Sequence, residues 1–560
     1  MSRFLLEATI ISILLCSLSQ GTVITVGPKG CDFYRIEAAL GAAEPGDVIE
    51  VHSGEYWVNL NITMPFVVLR GNDTGGGMPV LRAGSSTADI ESIAPGTSIL
   101  EERTGGTAIA IRADFVTVEG FVITGVTWPK PYGTEEHNDL IGNAGIRVYS
   151  DFNKIANNTF TGNDLTAIGL WNCTNNQILG NTIKDVSFGY GIQLYNASMN
   201  TIEKNILNHN SWGIELQRSD TNTFNQNEIQ ESVNSGIRAV NCNFTTLTEN
   251  IISRNGHESK YEGTGKGVSL VGSYGMIADN IISFNRDDGV YVESIIWEFC
   301  SQPPCGSEES YENLIIDNKI QGNGRDGIRL EKTWKNLIWK NNLTSNHGKG
   351  ISFVQSHNNS AELNNINKSD YGVYLDRSNY TRISNNTVKE AERSGIYLWS
   401  CTGASADNNT LTDSPAGITI DEAGINNTLI GNRVSNSTDG INISGRSSEN
   451  WIDRNVVISC ETGVRLADAI RNTVAGNEIA DNLLGLALSA ASSGNSVYGN
   501  NLSNNGEAAR DEGDNRWDDE FKGNYYGSAD CEDANNDGIC DVPQPIPGGN
   551  NVDRYSLARF

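Results

Sequence analysis

Two glutamates stand at matched places in neighbouring short runs, Gly289-Val-Tyr-Val-Glu293 and Gly327-Ile-Arg-Leu-Glu331. A pair of carboxylates is what acid/base work on a glycosidic bond needs, so Glu293 and Glu331 are the candidate catalytic residues if the chain is an enzyme. Equivalent runs carry Glu215, Arg238, Tyr291, Arg329, Tyr374, Asp376, Tyr397 and Trp399. Carboxylates beside arginines and exposed rings suit a sugar chain, with rings against the pyranose and polar groups on hydroxyls. The plainer alternative is an exposed sheet face on which opposite charges merely compensate one another.

A second motif lies near the C-terminus: Cys531-Glu-Asp533-Ala-Asn535-Asn-Asp537-Gly538-Ile539-Cys540-Asp541. Oxygen donors from Asp533, Asn535, Asp537 and Asp541, with the Ile539 carbonyl and a turn glycine, suit a hard cation, and Ca²⁺ is the expected cofactor. Gln544 stands where an EF-hand would carry its bidentate Glu. A Cys531–Cys540 bridge would close the loop in advance. Other chemistries are poorly supplied: six His form no HxH or HxxxH pair, and there are five Met. No phosphate loop, nucleophile elbow or dinucleotide fingerprint occurs.

These residues are positioned by a repeat. Asn precedes an aliphatic or aromatic by two residues at Asn158, Asn181, Asn205, Asn227 and Asn250, and again from Asn280 to Asn500, about every 23 residues. Interleaved with it is Gly-aliphatic-x-aliphatic, as in Gly191-Ile-Gln-Leu and Gly395-Ile-Tyr-Leu. Alternation of this kind marks half-buried strands, and three short strands per repeat leave no room for a helix. The expectation is an all-β, right-handed parallel β-helix whose coils stack at about 4.8 Å into a rod of roughly 70 Å. The Asn have a structural use: they tolerate left-handed turns, and stacked amides hydrogen-bond from coil to coil.

Four segments are expected. Residues 1–21 read as a signal peptide, with Arg3 before the apolar Ala8–Leu18. Residues 22–125 form an opening segment of irregular first coils, with helical spacing from Tyr34 to Ala43 that would cap the solenoid end. Regular repeats fill 126–505, interrupted near 256–265 and 294–310, and 506–560 close the chain. The interruptions imply a cleft walled by His257, Tyr261, Trp297 and Phe299, with Trp128, Tyr132 and His137 nearby.

The net charge of −28 argues against nucleic acid and anionic membrane surfaces as partners. No membrane span is expected after the signal, and the chain is expected to be an exported monomer. Cys300–Cys305 and Cys531–Cys540 are the expected disulfides, while Cys173, Cys242 and Cys401 read as small buried hydrophobes.

The Asn-x-Ile and Gly-Ile-x-Leu coils resemble the NosD-like β-helix proteins of the carbohydrate-binding and sugar-hydrolase type. The tail is similar too, in Asn515-Arg-Trp517-Asp518, Gly523-Asn-Tyr-Tyr526, Pro545-Ile-Pro-Gly-Gly549 and Asp553-Arg-Tyr555. The resemblance implies a cell-surface or periplasmic solenoid. Its family name implies copper delivery to nitrous oxide reductase, and its relatives include uronan epimerases and pectin-lyase-like enzymes. The epimerase Asp-Pro-His-Asp motif is missing here. Binding of a polysaccharide or glycosylated surface component, without catalysis, is the expectation. A lyase, C5-epimerase or glycoside hydrolase is the alternative, and a copper-delivery factor a minor one.

Overall fold

Alternating aliphatics in short runs leave the chain one way to bury them: each coil turns alternate residues inward and pairs with the next coil. The computed structural model describes residues 21–84, 106–127, 143–260, 263–296, 307–527 and 531–560. It divides into two compact units, one ending at Gly265 and the other starting at Lys266.

In the first unit a typical coil is Tyr190–Tyr195, Thr201–Glu203 and Ile206–Asn208. Each strand pairs in parallel with its counterpart one coil later, Ile192 on Ile214, Ile202 on Phe224 and Leu207 on Ile229. All six of those side chains are fully buried. The second unit repeats the arrangement, for example Val290 on Ile328, Ile315 on Ile338 and Ile320 on Leu343. Each such aliphatic contributes about 1.5–3 kcal/mol by leaving water. Truncating one to Ala costs about 2–5 kcal/mol because the column cannot collapse around the gap. The expected all-β parallel solenoid is therefore present in both units.

The Asn ladder is present as well. In the first unit, Asn181 receives the backbone N–H and side-chain Nδ2 of Asn158 on its Oδ1 at 3.0 and 3.2 Å. It donates from its own Nδ2 to the Ile155 carbonyl at 2.9 Å. In the second unit, Asn318, Asn341, Asn364 and Asn386 repeat the pattern. The left-handed backbone falls one residue earlier than expected, on Gly180, Lys204, Gln226 and Glu249 rather than on the ladder Asn. The reason is geometric: the amide must lie inside the turn to reach both neighbouring coils, and the residue before it absorbs the bend.

The helical spacing expected from Tyr34 to Ala43 appears as a helix from Ile36 to Ala42 that buries Ile36 and Ala39. Strands run from Val23 to Val26 before it and from Val48 to His52 after it. In the second unit, Ile295–Ile296 pairs antiparallel with Ser307–Glu308, so the long coil leaves as a two-stranded arm. Tyr261, Trp297, Phe299, Trp128, Tyr132 and His137 lie outside the described residues. So do the signal segment and Cys300–Cys305.

Cys531 and Cys540 are joined, with Cα atoms 5.2 Å apart. Cys173, Cys242 and Cys401 are buried thiols, as expected. Among the described residues no helix is long and apolar enough to cross a membrane.

Candidate functional site

On the strand Val290–Glu293 of the second unit, Val290 and Val292 face inward, which turns Tyr291 and Glu293 to the outer side, where Tyr291 is nonetheless buried and Glu293 only partly exposed. Register sets Tyr291 beside Arg329 and Glu293 beside Glu331. The four side chains form one network. Tyr291 Oη lies 2.9 Å from Glu293 Oε2 and 3.0 Å from Glu331 Oε2, so its single proton is shared between two carboxylates. Arg329 donates to the same Glu331 oxygen from Nη2 at 2.8 Å and Nε at 3.2 Å. Lys266 Nζ stands 4.4 Å from the centre of the Tyr291 ring.

The electrostatics follow. Burial, then the two glutamate charges, push the Tyr291 phenol far above its ordinary range, so it serves as a donor. Burial would raise Glu331, but the Arg329 guanidinium outweighs it and holds that carboxyl below its usual value. The pair expected to act as acid and base is thus brought together, but one member is pinned as a carboxylate. A general acid needs a raised value, and Glu331 lacks one.

A carboxyl with that property lies on the same two coils, near Arg329 and Lys266, at a position the sequence reading passed over. Asp288 and Asp326 immediately precede Gly289 and Gly327, and both are buried. Asp288 Oδ1 accepts the Asp326 N–H at 3.0 Å, while Asp326 accepts the Lys349 N–H at 2.8 Å and the Ser352 hydroxyl at 2.5 Å. Burial and the neighbouring Asp326 charge push Asp288 up to about 6. The signal was there to find: two Asp-Gly pairs at equivalent places in adjacent coils.

Further along the same sheet, Tyr374 and Tyr397 stack with ring centres 5.6 Å apart and 12° between planes. Tyr371 sits edge-on to Tyr397 at 5.3 Å. Tyr397 donates to Asp421 at 2.8 Å, and Arg377 is clamped by Asp376 at 2.7 Å while covering the Trp399 ring at 5.4 Å. Tyr374 and Tyr397 therefore offer one another their faces and turn their edges outward. This differs from the open stacking platform expected, because rings one coil apart are close enough to pair.

Glu215 and Arg238 belong to the first unit, where Arg238 Nη1 meets Glu215 Oε1 at 2.6 Å. Glu215, expected among the sugar-binding side chains, is instead fully buried, and its Oε2 has no hydrogen-bond partner. Being outward on a strand does not expose a side chain that neighbouring side chains pack against, here Gln217 at 3.1 Å and Arg238. Burial raises the Glu215 carboxyl despite Arg238.

In the tail loop, Asp533 accepts the Asp537 and Gly538 N–H groups at 3.0 Å each, and Asp537 accepts the Ile539 N–H at 2.8 Å. Asn535 Oδ1 accepts the Asp537 N–H at 3.0 Å, and Asp541 accepts the Ala534 N–H at 3.0 Å. The expected donors share one loop but are turned to its own amides. Among the described residues no group of three His, Cys, Asp or Glu is gathered as a metal cage.

Residues 387–531 match the family described as periplasmic copper-binding protein (NosD), and residues 109–286 and 266–434 match the right-handed β-helix region. No curated protein matches the chain. Among solved structures, DFA-IIIase from Arthrobacter chlorophenolicus A6 without its lid is 15% identical, with 67% of this chain and 95% of that one covered and a TM-score of 0.39. PfbA, a surface adhesin of Streptococcus pneumoniae, is 12% identical over 75% of this chain and 86% of its own, at 0.34. A mannuronic acid specific polysaccharide family 6 lyase from human gut microbiota is 13% identical over 65% and 86%, at 0.37.

Proposed function

The chain belongs to the right-handed β-helix family, and from that premise we propose that it is an exported protein that binds glycans on the outward sheet face of its second unit without turning them over. The observation that supports this reading is the Tyr291–Glu293–Glu331–Arg329 network. Its carboxylates are oriented by fixed donors, which favours reading sugar hydroxyls over exchanging protons with them. Tyr371, Tyr374, Tyr397 and Trp399 extend the face with ring edges. The net charge of −28 directs the choice toward neutral or locally cation-bridged glycans and away from nucleic acid. Residence outside the cytoplasm, in the periplasm or at the cell surface, accords with the Cys531–Cys540 disulfide. A glycan array probed with the full chain tests the reading: saturable binding weakened by Arg329→Met supports it, and binding to no glycan contradicts it.

A second reading, a polysaccharide lyase, epimerase or hydrolase, draws on Asp288, whose carboxyl is poised near 6 beside Asp326. Release of reducing ends or unsaturated uronates that disappears in Asp288→Asn would establish it. Ca²⁺ in the 533–541 loop belongs to the proposal on donor chemistry alone: hard oxygens from Asp533, Asn535, Asp537 and Asp541 in a disulfide-closed loop. The cation would have to displace the amide bonds those oxygens now accept.

A further inference from the structure

We propose that Cys31, His52 and Glu50 form a thiol–imidazole–carboxylate relay in the first unit, and that Cys31 is a reactive thiol that opens small disulfides. Cys31 Sγ lies 3.2 Å from His52 Nδ1, and His52 Nε2 lies 3.3 Å from Glu50 Oε1. Asn72 Nδ2 donates to that same Glu50 oxygen at 3.0 Å and helps to hold the carboxylate in place. Nucleophile, base and orienting group stand in one line within hydrogen-bond reach.

The first coils build this line deliberately. Glu50 and His52 are two residues apart on the strand Val48–His52, hence on one face. Tyr56 Oη donates to the His52 carbonyl at 2.9 Å and holds the strand end. Cys31 arrives on the loop after Val23–Val26, which folds back through Gly27 N–H to the Phe33 carbonyl at 3.0 Å. Gly27 is required by the approach: a Cβ there would stand 2.8 Å from Cys31 Sγ and 3.3 Å from His52 Cβ. His52 commits one ring nitrogen to the thiol and the other to the carboxylate, an arrangement for moving a proton rather than holding a metal.

The remaining free thiols among the described residues are unlike it. Cys173, Cys242, Cys401 and Cys460 are buried, and burial pushes the first three up to about 12. Cys31 is partly exposed. In the reaction, His52 Nδ1 takes the Sγ proton as Sγ attacks one sulfur of a disulfide. The new Sγ–S bond forms while the old S–S bond breaks, and the departing thiolate takes the proton from His52. Cys31 ends as a mixed disulfide and half of the reagent as a free thiol, so the disulfide itself is the oxidant.

The test uses the native full-length chain and dithiobis(nitrobenzoate), a small aromatic disulfide whose released half is coloured as its thiolate. The label is expected on Cys31 by peptide mapping and is absent in Cys31→Ser. His52→Asn slows the reaction at neutral pH by about tenfold or more, and Glu50→Gln slows it less. A rate unmoved in a folded His52→Asn variant, or label on other cysteines, would overturn the proposal.

Discussion

Glu215 with Arg238 in the first unit and Glu331 with Arg329 in the second are the same ion pair by residue type, both on outward strand positions. Their electrostatic states are opposite. The Glu215 side chain is 1% exposed, one of its oxygens has no partner, and burial raises it. The Glu331 side chain is 26% exposed and gathers Arg329 and the Tyr291 hydroxyl on one oxygen, and the net effect lowers it. The lesson is that burial decides between them: each glutamate gathers an arginine and one further donor on a single oxygen, Gln217 for Glu215 and Tyr291 for Glu331, and only the partly exposed one is held low. The presence of one arginine does not decide the outcome.

The largest expected effect breaks the first pair. Arg238→Met leaves a buried carboxyl uncompensated and should cost about 3 kcal/mol in a denaturant melt at neutral pH. That cost should shrink in acid, where Glu215 carries a proton and needs no cation. Arg329→Met should cost only about 1 kcal/mol, because Glu331 keeps the Tyr291 hydroxyl and some water. Equal costs would erase the contrast.

Next comes Asp288, raised to about 6 in the folded protein against 3.8 ordinarily. Its contribution to stability is fully present below about pH 4 and lost as pH rises through about 6. Asp288→Asn keeps an acceptor for the Asp326 N–H and should gain about 2 kcal/mol at neutral pH, with a flatter stability curve across that window. Glu331 has the opposite sign: its lowered value stabilises above the ordinary carboxylate range, and that contribution is lost as pH falls through the folded value. Tyr291→Phe should therefore cost about 1–2 kcal/mol at neutral pH and less in acid. The smallest effect concerns the tail loop, where EDTA should lower the melting temperature by a few degrees if Ca²⁺ is bound. An unchanged melt and no calcium by elemental analysis would remove the cation from the account.

Much of the scaffold was legible because each coil obeys the same local rule. Ile192, Leu194 and Ile202 alternate in a strand period, and Asn181 and Asn205 recur where an amide must bridge two coils. The pairing of Glu293 with Glu331 followed from that register alone. The burial of Glu215 did not, because strand alternation fixes the side a residue faces and not how closely Gln217 and Arg238 pack against it. Asp288 escaped notice because its Asp-Gly step looks like turn chemistry until its carboxyl proves to be buried. The Cys31–His52 contact joins residues 21 positions apart, about one coil, but in the irregular opening segment where the period is weakest.

The most direct test of the central claim is to incubate the full chain with the glycan it retains on an array and to recover that glycan for mass spectrometry and sugar-configuration analysis. The account predicts a glycan returned with its length, saturation and stereochemistry unchanged. Shortened, unsaturated or epimerised product, lost in the Glu293→Gln/Glu331→Gln double variant while binding persists, would contradict it.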